Sequence, residues 1–283
     1  MIFQRLIWAA LATALLVGSV QTGVQRWQAA PLILVAEVFE EQKAAPSEAP
    51  EAPGALNAPA LAEAVATAHE HEHEHEHGAA KEWEPENGFE RISWTWVANV
   101  LHAFSMALLV FAVMGIWLVR RGSAVASLPL AGLVAAAGWL SLHLWPTLGL
   151  PAEVPGMEAA PLHARQLWWV LAVGSAGLAC AIAGFARGSW RWLAAAVLLA
   201  LPFIVGAPQL QGDALAGYDA NAHAALEQLG HQFVWATTWV ALSFWGSMGL
   251  VAGLAFERWL RPALLRLLGS AVPQNVAPAG AAQ

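Results

Sequence analysis

Six apolar stretches dominate this sequence, and each is close to the length that an α-helix needs to cross a lipid bilayer. They are residues Leu6–Val24, Ile92–Val119, Ala124–Leu148, Leu167–Ala186, Trp190–Pro208 and Phe233–Phe256. A crossing helix needs about 20 predominantly apolar residues, and in lipid its backbone polar groups must be bonded internally. The sequence therefore predicts an all-α fold, a polytopic transmembrane helical bundle of about six spans.

The composition agrees with a membrane protein and excludes several other classes. Hydrophobic residues make up 58% of the chain and charged residues 12%, against about 25% charged in soluble domains. The only lysines are Lys43 and Lys81, so neither a nucleic-acid-binding patch nor a lysine-bearing phosphate loop is expected. Cys180 is the single cysteine, which excludes a disulfide framework and a cysteine metal site.

The arginines predict how the spans are oriented. Arginine in short loops marks the cytoplasmic side of a membrane protein, whereas acidic residues contribute little. If the N-terminus is cytoplasmic, the following arginines fall on that side: Arg5, Arg120, Arg121, Arg187, Arg191, Arg258, Arg261 and Arg266. Of the 20 acidic residues, only Glu257 then lies inside. We therefore expect both termini in the cytoplasm and an acidic outer face.

The first span leaves an alternative open. Arg5 followed by an apolar stretch also fits a cleavable signal peptide, in which case five spans would remain. The small-residue stretch Val17–Val20 is a poor cleavage site because it continues into Gln21 and Gln25, so an uncleaved anchor is preferred.

Four segments follow from these patterns. Residues 1–39 form an N-terminal transmembrane helix with an extension broken at Pro31, and residues 40–91 form an external linker rich in Ala, Pro and Glu. Pro46, Pro50, Pro53 and Pro59 disfavour regular structure, so this linker is predicted to be disordered. Residues 92–260 form a five-helix bundle, and residues 261–283 form a cytoplasmic tail.

The linker carries the most distinctive chemical feature, an uninterrupted alternation of histidine and glutamate. Its imidazoles are His69, His71, His73, His75 and His77, separated by Glu70, Glu72, Glu74 and Glu76. In an extended chain, alternate side chains point to opposite sides, and imidazole is a ligand for Zn, Cu, Ni and Co ions. We interpret this His tract as a flexible metal trap, the alternative being a solvated polar run.

Further candidate ligands stand where lipid or headgroups are expected. An ionisable residue inside a span is costly and is a functional hypothesis by default. The candidates are Glu37, His102, His143, His163, Gln166, Gln209 and His231, all in the outer half of the proposed topology. For each, the alternative is an ordinary packed or interfacial side chain. A Gly-x-x-x-Gly pair, Gly249 and Gly253, predicts close helix packing.

Several motifs together make the chain resemble the CbtA family of proposed cobalt transporter subunits. They run from Pro31-Leu32-Ile33-Leu34-x-Ala36-Glu37-x-Phe39-Glu40 through the His tract to Trp83-x-Pro85-x-x-Gly88-x-x-Arg91, Gly149-Leu150-Pro151-x-Glu153-x-Pro155-Gly156-Met157, Ala164-Arg165-Gln166-x-Trp168-Trp169 and Gly206-Ala207-Pro208-Gln209. They cover nearly the whole chain. Family descriptions often give five spans rather than six, which leaves cleavage of the first span open.

The resemblance implies a bacterial inner-membrane protein that takes up cobalt for cobalamin synthesis, together with a small single-span CbtB-like subunit. It implies no tightly bound cofactor, cobalt(2+) as the transported ion and no enzymatic activity. The residues alone do not select the metal, because imidazole sites bind nickel and zinc at least as well as cobalt. The leading hypothesis is a divalent metal-ion permease subunit, and the alternative is a non-transporting membrane metal buffer or sensor. A membrane enzyme is a weaker third option, since no triad or paired-acid arrangement occurs.

Overall fold

The computed structural model describes residues 2–44, 85, 87–122 and 125–270, and these residues are almost entirely helical. Helix α1 spans Ile2–Gln28, α2 Ala30–Ala44, α3 Phe89–Arg121 and α4 Ser127–Thr147. Helix α5 spans Leu162–Phe185, α6 Trp190–Val205, α7 Ala220–Ala255 and α8 Arg261–Ser270. No strand occurs in these described ranges, so the predicted all-α fold is confirmed.

Each predicted span coincides with a helix. Five helices in the described residues are long and apolar enough to cross a membrane: α1, α3, α4, α5 and the continuous stretch Ala220–Gly269. Helix α6, the fifth predicted span, has 16 residues and is shorter than the others. The chain is therefore a multi-pass membrane protein, with five long apolar helices and one shorter one.

Helix boundaries differ from the hydropathy boundaries where polar residues extend a helix. Helix α7 begins at Ala220, well before Phe233, because the Asp219 carboxylate accepts hydrogen bonds from the Asn221 and Ala222 backbone N–H groups at 2.8 and 2.9 Å. Asp in this position is a strong helix N-cap. Helix α2 likewise continues beyond residue 39 to Ala44, so the first residues assigned to the linker are helical.

Prolines account for the irregular turns. The chain breaks between α1 and α2 at Ala29, because Pro31 has no N–H to donate to the preceding turn. Two π-helical turns, Leu140–Leu144 and Phe256–Leu260, each end two residues before a proline, Pro146 and Pro262. Inside an α-helix a proline ring clashes with the carbonyl group of the preceding turn. The wider π-helical turn moves that carbonyl away from the ring.

The described residues divide into two compact units: residues 2–20, 96–122, 125–138 and 244–270 belong to unit 1, and residues 21–44, 85, 87–95 and 139–243 belong to unit 2. In unit 1, α7 packs closely on α4. A Cβ on Gly253 would lie 2.9 Å from Leu128 Cδ1, and one on Gly249 would lie 3.1 Å from Ala135 Cβ. The predicted close packing at this glycine pair is confirmed.

Unit 2 contains the α5–α6 pair and a compact region that we call the cap. The cap consists of α2, the loops 148–161 and 206–219, and the first turns of α7. Its apolar centre is formed by Ala36, Val154, Leu215 and Leu226. The two loops are joined by a backbone hydrogen bond from the Glu158 N–H to the Ala214 carbonyl at 2.8 Å.

Candidate metal site

The His tract, with its five histidines His69 to His77, lies outside the described residues, so its predicted extended arrangement stays a prediction. The described residues before the tract end at Ala44, the last residue of α2. After the tract they resume at residue 85, just before α3. Both flanking helices belong to unit 2 at these points. The segment that carries the tract is therefore attached at its two ends to the same compact unit.

Glu37, a predicted cation ligand, is bound by an arginine. The Arg91 guanidinium donates to both carboxylate oxygens, with Nη2–Oε1 at 2.7 Å and Nη1–Oε2 at 3.3 Å. Arg91 Nη1 also donates to the Asn87 side-chain oxygen at 2.9 Å. A bidentate contact of this kind is among the stronger charge-assisted hydrogen bonds, so a metal ion at Glu37 would have to displace or share it.

His143 lies within the π-helical turn of α4 and is half-buried. Its Nε2 is 3.3 Å from the Thr238 hydroxyl, which donates its hydrogen to the Val234 carbonyl at 2.8 Å. Because a hydroxyl has one hydrogen, His143 Nε2 is the donor in this contact. In the neutral imidazole, Nδ1 then carries the lone pair that could bind a metal ion.

His102 lies near the middle of α3, with its side chain exposed in the isolated chain. Its ring packs against Phe244, with 5.1 Å between the ring centroids. The Ser105 hydroxyl donates to the His102 backbone carbonyl at 2.8 Å, which leaves the imidazole nitrogens uninvolved in that bond. The ring is therefore held by an aromatic contact with Phe244.

The remaining candidates are exposed: His163 and Gln166 on the first turns of α5, Gln209 in the loop after α6, and His231 on α7. Gln209 donates to the Ala207 carbonyl at 3.3 Å. Over the described ranges, no group of three or more His, Cys, Asp or Glu side chains is arranged to hold a metal ion. The predicted ligand set for an intramembrane site therefore stays a prediction.

Sequence reasoning missed the polar contacts that hold the cap. Lys43 Nζ donates to the Ala216 carbonyl at 2.7 Å and lies 4.6 Å from the centroid of the Tyr218 ring. The Tyr218 hydroxyl donates to the Gly156 carbonyl at 3.3 Å. Burial, together with the negative charge of Glu40, raises the pKa of Tyr218. These residues lie far apart in the chain, so no local pattern could have paired them.

Two more contacts tie the cap loops to neighbouring helices. Arg165 on α5 forms an ion pair with Glu153 at 3.2 Å, and His223 Nε2 on α7 lies 3.3 Å from an Asp213 carboxylate oxygen. The backbone N–H of Leu215 donates to Asp213, and this bond, with the charge of His223, lowers the pKa of the Asp213 carboxyl. The motifs that carried the family resemblance include two pairs of residues that form ion pairs with each other, Glu37 with Arg91 and Glu153 with Arg165.

Comparison with known proteins identifies the family. The family model described as "Probable cobalt transporter subunit (CbtA)" matches residues 3–257, which is most of the chain. No curated protein and no solved structure shows a significant match. A match over the helices and the cap together, in a multi-pass membrane protein, shows that the chain belongs to the CbtA family of cobalt transporter subunits.

Proposed function

We propose that this chain is the membrane subunit of a bacterial inner-membrane cobalt uptake system, in which the His tract captures the ion outside the cell. Family membership supplies the metal and the subunit role. The word subunit implies at least one partner, and we propose a small single-span CbtB-like protein. The substrate is a divalent cation, cobalt(2+), with nickel or zinc as competitors for imidazole ligands.

The distribution of arginines supports the orientation, with both termini in the cytoplasm. Arg5 lies in the first turns of α1, and Arg120 and Arg121 end α3. Arg187 lies in the turn between α5 and α6, and Arg191 lies in the first turn of α6. Arginine in such short segments favours the cytoplasmic side. Glu257 is the one acidic residue on the predicted cytoplasmic side. Both of its carboxylate oxygens accept hydrogen bonds from Arg261 Nη1, at 2.9 and 2.8 Å.

The observation that carries the proposed capture role is the attachment of the tract. The Glu37–Arg91 pair joins α2 to α3 within unit 2, and Lys43 fixes the end of α2 on the loop residue Ala216. Seven residues separate His77 from Pro85, and an extended chain covers at most about 29 Å over the eight steps between them. Ions bound by the tract are thereby kept at a high local concentration beside the cap.

From the tract, the ion would pass to partly dehydrated ligands, for which the candidates are Glu37, His102, His143, Gln166 and Gln209. We infer that Arg91 releases Glu37 when a cation arrives, since the two cations compete for one carboxylate. The sequence contains no phosphate-binding loop, so the membrane potential, an ion gradient or the partner supplies the energy. The remaining candidates, His163 and His231, would assist at the entrance.

Cellular cobalt content tests the proposal. Cells that express the chain with its natural partner should accumulate more cobalt than cells without it, at limiting external cobalt. Replacing the five tract histidines by alanine should lower accumulation at low cobalt and matter less at high cobalt, because local concentration then no longer limits capture. A matched variant with Glu70, Glu72, Glu74 and Glu76 changed to glutamine controls for the charge of the tract. Unchanged accumulation on expression would disprove uptake.

The alternative is a membrane metal buffer or sensor that presents metal to a partner. It is favoured by the lack of a three-ligand metal group over the described part of the chain. Replacing His102 and His143 by leucine separates the two functions. Loss of uptake with the tract intact supports a pathway through the bundle, whereas unaltered metal binding and unaltered cellular cobalt support a buffer.

A further inference from the structure

The lining of an apolar groove in unit 1 includes an arginine for which the described residues provide no hydrogen-bond or ion-pair partner. The groove has a volume of about 620 Å³, within the range of about 300–1,000 Å³ of ligand-binding pockets. Its walls are formed by Phe3 and Leu6 of α1, Gly115 and Ile116 of α3, Phe256 of the second π-helical turn and Leu264 of α8. Arg120, in the last turn of α3, is its charged lining residue.

The two arginines that end α3 are placed differently. Arg121 lies over the Trp117 ring, 5.6 Å from its centroid. Arg120 is exposed, and among the described residues its guanidinium forms no hydrogen bond or ion pair. A guanidinium presents a planar fork of donors that matches a phosphate group. An unpaired guanidinium at the end of an apolar groove therefore suits a ligand with an anionic head and a hydrocarbon tail.

From this arrangement we propose that the groove is a binding site for an anionic phospholipid. Its phosphate accepts hydrogen bonds from Arg120, and one acyl chain lies between α1, α3 and α8. Charge complementarity selects this occupant, because an anionic headgroup neutralises the guanidinium, whereas a zwitterionic lipid carries a cation beside its phosphate and an apolar helix offers no acceptor. Basic pockets at the ends of membrane helices are known to recognise anionic headgroups. This site is independent of metal capture and of the direction of transport.

One wall of the groove has room for an added Cβ, so a substitution there can be used to block the site. A Cβ on Gly115 would lie 3.9 Å from Leu264 Cδ1, an ordinary van der Waals contact. Gly115→Leu therefore adds a side chain at the wall of the groove with space around its first carbon. The variant Arg120→Gln removes the charge, and the neighbouring Arg121→Gln is a matched control of equal net charge.

The test uses the purified full-length chain in detergent with phosphatidylglycerol or phosphatidylcholine of identical acyl chains. Native mass spectrometry measures the lipid bound to each protein molecule. We expect phosphatidylglycerol to bind about fivefold more tightly, the value of one arginine near an anionic headgroup. Arg120→Gln should remove this preference, Arg121→Gln should keep it, and Gly115→Leu should weaken the binding of both lipids.

Several outcomes would overturn the site. If Arg120→Gln and Arg121→Gln lose the preference for phosphatidylglycerol equally, the preference comes from general positive charge and not from this site. If Gly115→Leu binds both lipids as well as the wild type does, the lipid lies elsewhere. If Arg120→Gln does not fold, the result for Gly115→Leu alone decides whether the groove is the site. Displacement of the lipid by inorganic phosphate at equal concentration would indicate a free-anion site instead, whereas a failure of phosphate to compete supports the lipid.

Discussion

The Arg91 guanidinium donates hydrogen bonds to both oxygens of the Glu37 carboxylate, 54 residues away in the sequence. This contact joins α2 to α3. The segment that carries the His tract lies between these two residues in the chain. The pair therefore helps to close this loop, together with the packing of Ala36 in the cap and the Lys43–Ala216 hydrogen bond, and the entropic cost of closure rises only slowly with loop length. Its two side chains are 33% and 39% exposed, so water still screens the pair.

Removing either partner should destabilise the cap by a modest amount. Exposed ion pairs contribute about 0.2–1 kcal/mol, and bidentate geometry places this pair at the upper end. We expect Glu37→Gln and Arg91→Gln each to lower the melting temperature in detergent. The double variant should show a coupling free energy of about 1 kcal/mol.

A parallel cycle on Glu153 and Arg165, which meet through a single contact at 3.2 Å, provides the comparison and should give a smaller coupling. Cobalt uptake separates the structural role of Glu37 from a ligand role. If Glu37 only supports the cap, the reversed pair Glu37→Arg with Arg91→Glu should restore uptake. Failure to restore uptake in a protein of normal melting temperature would mark Glu37 as a metal ligand.

The sequence was sufficient to predict the helices, because burial in lipid imposes a requirement on length and polarity that is local in the chain. It was also sufficient for the contact at Gly249 and Gly253, since small residues one helical turn apart are a local signal. The partner of Glu37 could not be predicted, because it lies 54 residues away. Likewise, nothing near His143 indicates that Thr238 is its hydrogen-bond partner.

The glycine contact between α7 and α4 can be tested with a control in the same helix. Gly253→Leu should destabilise the protein by about 1–3 kcal/mol, the usual range for overpacking, because even a Cβ at this position would lie 2.9 Å from Leu128. Gly246→Leu should have little effect, since nothing lies within 4 Å of a Cβ there. Thermal unfolding of both variants checks this, and equal destabilisation would show that the close contact is not responsible.

Acid should abolish the contribution of Asp213 to the cap. The Leu215 N–H bond and the charge of His223 lower the pKa of this carboxyl in the folded protein below its ordinary value of 3.8. A lowered carboxyl pKa stabilises the fold fully above the ordinary pKa, and the effect is lost as the pH falls through the folded-state pKa. The melting-temperature difference between the wild type and Asp213→Asn should be present above the ordinary pKa of the carboxyl and vanish below the folded-state pKa. If the melting-temperature difference persisted below the folded-state pKa, ionisation of Asp213 would be excluded as its cause.

Cobalt binding by the tract should weaken steeply between pH 7.5 and 5.5. Only neutral imidazole binds metal, and with an ordinary pKa of about 6.5 the neutral fraction falls from about nine-tenths to about one-tenth over this range. If one ion takes one or two imidazoles, the affinity should fall about 10- to 100-fold. Isothermal titration of the full-length protein with cobalt measures this fall, and the variant with tract glutamates changed to glutamine should retain it. The variant lacking the five histidines should show a weaker pH dependence, and an identical profile in that variant would remove the tract from the capture step.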